Sequence, residues 1–151
     1  MKLELEYIVG GTIDGIGHAA DMIWVALTPP DNMEWLPKTA TIDFHLQSDT
    51  SIFIDSEPIT GTWDLRCEDG SCFRFEECIQ LLLQRETLYV VDRVFVDEQL
   101  NLTLQFTNGL LIKTTENSPC ATDVERWRIL IKDQNSMLPH IMGMGDHIEI
   151  V

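Results

Sequence analysis

Basic side chains are scarce in this chain: ten Lys and Arg stand against 25 Asp and Glu, a formal charge of −15 over 151 residues. The deficit is even. Residues 1–75 carry 13 acidic and four basic side chains, and residues 76–151 carry 12 and six. An evenly acidic surface repels phosphate backbones, so nucleic-acid binding is not expected. Such a surface speeds association with a basic protein, and it also keeps a small domain soluble.

Long apolar runs are missing too. No stretch reaches the roughly 18 residues that would indicate a membrane span. The opening MKLELEYIVGG alternates charged and apolar residues and lacks the uninterrupted apolar core of a secretory signal. A cytoplasmic protein without a membrane association is the expectation.

Catalytic signatures are also wanting: there is no P-loop, dinucleotide-binding glycine pattern, nucleophile elbow or HExxH. The glycine-rich GGTIDGIG stretch from Gly10 to Gly17 precedes no helix pattern whose N-terminus would hold an anion. The four cysteines, Cys67, Cys72, Cys78 and Cys120, lack the short paired spacings of zinc sites. Asp69-Gly70 is a type I′ turn signal that would set Cys67 opposite Cys72 within disulfide reach. Free thiols are nevertheless expected in a reducing compartment. His140 and His147 flank the Gly143-Met144-Gly145-Asp146 turn, and a hairpin there would draw them together near Asp146 or Glu149. No spacing fixes a third ligand, so neither a metal nor a cofactor is expected.

What is present is an ordinary globular balance, 44% hydrophobic and 23% charged, enough for one domain over residues 1–151. Period-two patterns dominate. They predict a strand over Leu3–Val9, a turn at Gly10-Gly11, and a strand pair over Thr12–Ala19 and Met22–Leu27. Three prolines make Thr28–Lys38 a loop, with Trp35 expected to cap a core edge. Ile42, Phe44 and Leu46 alternate against Ile52 and Ile54, which reads as a hairpin with Asp43, His45 and Gln47 on the opposite face. One helix is expected, from about Glu76 to Arg85, with Ile79, Leu82 and Leu83 as its apolar stripe.

Leu88–Val96 resumes β character and leads into a second hairpin. A three-residue loop with Gly109 in a left-handed bulge pairs Phe106 with Leu110 and Leu104 with Ile112, which keeps one face apolar. A shift of 78 positions superposes Ile13, Ile16, Met22, Trp24 and Ala26 on Val91, Val94, Leu100, Leu102 and Leu104, the pattern of an internal duplication. The expected class is α+β, mainly antiparallel β, as two packed sheets or a partly open barrel with one short helix.

In the strand Glu125–Ile131, Trp127, Ile129 and Ile131 share one face and Arg126, Arg128 and Leu130 the other. Trp127 reads as core. Two arginines are conspicuous where cations are so few, either pairing with carboxylates or forming a site for a carboxylate or phosphate. Arg126, Arg128, His140 and Trp24 are therefore the candidate binding surface.

The succession DMIWVAL, IDFHLQ…SIFI, GTWDL, VDRVFVDEQLNLTLQFTNGLLI, ERWRIL and PHIMGMGDHIEI resembles a family of small uncharacterised bacterial proteins with a late Glu-x-Trp-Arg strand. The likeness runs from about Gly11 onward. It departs at Ser51, where a Trp-Arg pair would stand in the first hairpin. The resemblance implies a β-rich fold and no activity. The charge and the missing catalytic sets lead to a non-catalytic interaction domain, of the immunity-protein kind, for a basic toxin or other basic protein. The alternatives are a small-molecule pocket or minor enzyme lined by Trp24, Trp127, Arg128 and His140, and a homodimer built through an exposed edge strand.

Overall fold

A computed structural model describes residues 3–37, 39–66, 72–115, 124–133 and 140–151. Two six-stranded antiparallel sheets pack face to face, and they do not close into a barrel. Sheet I contains β2 (Thr12–Ala19), β3 (Met22–Thr28), β4 (Thr41–Leu46), β10 (Trp127–Lys132), β11 (Ile141–Gly143) and β12 (Ile148–Ile150), in that spatial order. Sheet II runs β1 (Leu3–Glu4), β7 (Val91–Val96), β8 (Leu102–Phe106), β9 (Leu110–Thr115), β5 (Asp49–Ile54) and β6 (Glu57–Gly61).

Alternation supplies the core. Ile23, Val25, Ile42, Phe44, Leu46, Trp127 and Ile129 from sheet I meet Ile52, Val94, Leu102, Leu104 and Ile112 from sheet II, all buried. The strand pair expected over Thr12–Ala19 and Met22–Leu27 forms as β2 and β3, with β3 running one residue further to Thr28. The second hairpin takes the bulged register, with Leu104 opposite Ile112 and Gly109 at φ +80.

The first hairpin does not form. β4 is already paired on both sides, with β3 and β10, so β5 crosses to sheet II and pairs with β9 and β6. The linking Gln47 and Ser48 amides both donate to the Arg126 carbonyl, at 2.9 Å each, which turns the chain at the corner. Leu46 and Ile52 therefore lie in opposite layers of the core. Alternation satisfies either arrangement, because it specifies the buried face and not the neighbour.

Other boundaries also differ. The first strand is only Leu3–Glu4, followed by a 3-10 turn over Glu6–Ile8 that buries Ile8. β6 carries Pro58 on a sheet edge, where a missing N–H costs nothing. It joins β5 through Asp55 and Ser56, both left-handed. The helix α1 spans Phe73–Gln84 and buries Phe75, Ile79 and Leu82, whereas Leu83 is exposed. His18 on β2 packs edge-on against Phe75 and reaches Glu76, tying α1 to sheet I. Trp35 is 62% exposed and caps no core edge.

The strand order repeats. β2-β3-β4 form a meander in sheet I and β5-β6 follow in sheet II; β7-β8-β9 form a meander in sheet II and β10-β11 follow in sheet I. Each crossing strand pairs with the other half's third strand. β5 and β10 begin at residues 49 and 127, again 78 apart. Among the described residues no helix is long and apolar enough to cross a membrane.

Candidate functional site on the outer face of sheet I

The outer positions of sheet I are those that alternate with the core. Register places Gly17, Trp24, His45, Arg128, Met142 and Glu149 in one row across the sheet. The next row holds Gly15, Ala26, Asp43 and Leu130. Asp43, His45 and Gln47 thus face away from the core as their alternation predicts.

The half-buried Trp24 lies against the glycines of β2. A Cβ on Gly17 would meet the indole at 2.3 Å, and one on Gly15 at 3.4 Å. Two strands away, about 10 Å across the sheet, Arg128 is held by its neighbours. Its Nε donates to Glu125 Oε1 at 2.6 Å, and its Nη1 lies 3.2 Å from His140 Nδ1. A guanidinium has no acceptor, so His140 Nδ1 accepts and the imidazole proton sits on Nε2. Glu125 Oε2 accepts in turn from the Gln47 amide. The result is a four-residue chain, Gln47–Glu125–Arg128–His140.

Of the four sequence candidates, Arg128 and His140 therefore touch, and Trp24 shares their face through His45. Arg126 does not belong there. It precedes β10, is only 2% exposed, and donates to Gln99 O and Asn101 Oδ1 in the β7–β8 loop, both at 2.6 Å. Trp127 is fully buried on the core side, so it cannot line a pocket with Arg128. Its indole N–H donates to Leu100 O in the same loop. The Glu-x-Trp-Arg signature thus divides: Trp127 fills the core, and Glu125 pairs with Arg128 outside.

The terminal hairpin forms about the predicted turn but separates its histidines. His140 pairs with Val151 at the open end, and His147 sits at the turn beside Met144. Among the described residues no three His, Cys, Asp or Glu side chains converge as metal ligands. Cys67, Cys120 and the Asp69-Gly70 turn lie outside the described residues; Cys72 and Cys78 carry free thiols.

Hydrogen bonds to Asp146 Oδ1 (2.5 Å) and Glu149 Oε1 (2.8 Å) hold the His147 imidazole above the ordinary histidine value of 6.5. A raised folded-state value means that this contact is fully in place below pH 6.5 and is lost as pH rises through the folded value. An NMR titration is expected to give His147 a midpoint above 6.5, falling toward it in Glu149→Gln. An unchanged midpoint in that variant would remove Glu149 as a cause.

Sequence reasoning missed Asp14 and Lys132. Both border a shallow hollow of about 340 Å³ beside Trp24, whose lining includes Asp43 and His45. Lys132 is opposite Thr41, and Asp14 sits at a bulge in β2. Neither position carries a motif, and only the strand order brings them together. No protein-family model, curated protein or solved structure matches this chain.

Proposed function

We propose that this chain is a non-catalytic cytoplasmic interaction domain that binds a basic protein, in the manner of immunity proteins that neutralise toxins. One observation carries the reading: five of the ten cations are already paired with carboxylates or buried by the fold. Arg66 pairs with Asp21 and Asp49, Arg74 with Asp64, Arg93 with Glu4, and Arg128 with Glu125. Arg126 is buried. The excess of carboxylates therefore dominates the surface field, and such a field steers and orients a positively charged partner. The resemblance carried by Glu125-x-Trp127-Arg128 adds a bacterial source to this proposal and no activity.

Retention on the immobilised chain tests it. A lysate of the protein's own cells at low salt is expected to yield one stoichiometric basic partner. That partner should elute as salt shortens the Debye length from about 10 Å at 0.1 M to about 3 Å at 1 M. An empty column, or a partner indifferent to salt, would count against the proposal.

The shared face of Trp24, His45 and Arg128 favours a second reading, a small-molecule site. A ligand that raises the thermal midpoint of the wild type, and not that of Arg128→Ala, would support this reading over the first.

A further inference from the structure

We propose that the hollow beside Trp24 is the seat of a guanidinium group, an arginine side chain presented by the basic partner. The source of that group rests on the basic-partner reading; the chemistry of the hollow does not.

The hollow exists because small residues meet at its centre. Gly15 pairs with Ala26, while Trp24 and His45 form one wall and Thr41 with Lys132 the other. Between the walls stands Asp43, whose cross-strand neighbours, Ala26 and Leu130, are both apolar. Its Oδ1 is buried and has no hydrogen-bond partner among the described residues. Buried carboxylate oxygens are nearly always satisfied, so a carboxylate left under-satisfied on one oxygen gains more than most from a cation seated beside it.

Charge and shape then narrow the donor. Asp14 adds a second carboxylate at the rim, and the Trp24 indole supplies an aromatic wall. Lys132, the cation of the hollow, is exposed and makes no ion pair with Asp43. No set of three metal-ligating side chains is present among the described residues, so the hollow suits an organic cation better than a coordinated metal. A guanidinium is planar, weakly hydrated, stacks flat on an indole and still directs a fork of donors at a carboxylate, which fits this seat better than the strongly hydrated point charge of an ammonium.

An NMR titration of the full chain with N-acetylarginine amide tests the seat, with the uncharged citrulline analogue as control. The Trp24 indole N–H and the Ala26 and Asp43 amides are expected to shift with the arginine probe in the millimolar range, and not with citrulline. Asp43→Asn should weaken binding about tenfold, the loss of one charged hydrogen bond. Lys132→Gln should strengthen it by removing a competing charge. Asp43→Asn removes a buried charge and keeps its shape, so the fold should survive, and an unchanged spectrum elsewhere verifies that. Equal shifts with citrulline, or equal affinity in Asp43→Asn, would overturn the seat. If Asp43→Asn retained the basic partner undiminished, the hollow would lose that role and the partner reading would stand. If the probe bound normally and the lysate yielded no basic partner, the partner reading would fail instead.

Discussion

Trp127→Ala is expected to lower the unfolding free energy by about 3–5 kcal/mol, the usual cost of emptying a large aromatic site in a core. Trp127 is fully buried and paired with Leu46 on one side and Gly143 on the other. The ring occupies the space a side chain at position 143 would need: a Cβ there would lie 2.2–2.6 Å from three indole atoms. That seat cannot collapse cheaply, because its floor is the backbone of β11. The ring also donates to Leu100 O at 2.9 Å, so its removal leaves a carbonyl without its donor. In a domain whose total stability is about 5–15 kcal/mol, the loss is a large share. Urea unfolding followed by circular dichroism measures it. A change below about 1 kcal/mol would mean that neighbouring side chains refill the site.

The same residue marks how far the sequence can be read. Trp127 was legible as core because its neighbours Ile129 and Ile131 share its parity. Its partner loop was not, since nothing local ties Leu100 to Trp127. The second hairpin was legible for the opposite reason: Asn108-Gly109 is a local turn, and only one loop length keeps Leu104 and Ile112 on one side. The first hairpin failed because Ile42, Phe44 and Leu46 would satisfy their alternation beside β5 or across the core from it. The Asp55-Ser56 turn left no mark, having neither glycine nor asparagine, and β6 went unseen with it. The candidate face shows the same limit. Alternation sets Asp43 and His45 outward, but their neighbours Trp24, Arg128 and Lys132 come from strands whose order is a property of the whole fold. The offset of 78 positions matches the starts of β5 and β10 but not its own residue pairs, since Trp24 and Ala26 lie on the outer face of sheet I whereas Leu102 and Leu104 lie in the core.

Arg126→Met is expected to cost about 2–4 kcal/mol, and Arg128→Met no more than about 1 kcal/mol, although the two arginines are two positions apart on the same segment. Burial decides the difference. Arg126 is 2% exposed, and its guanidinium donates to Gln99 O and Asn101 Oδ1. Those acceptors lie in a loop shaped by Asp97, whose Oδ1 receives the amides of Gln99 and Asn101, and by a left-handed Leu100. A thioether offers no donor, so both acceptors would lose the charged hydrogen bonds that tie the loop to β10. Lysine would not restore them, because a single ammonium lacks the fork that spans two separated oxygens. Arg128, by contrast, is 34% exposed and its pair with Glu125 competes with water and salt. Chemical denaturation of both variants in parallel measures the contrast. Equal losses would show that Arg126 is not the clamp between the β7–β8 loop of sheet II and the start of β10.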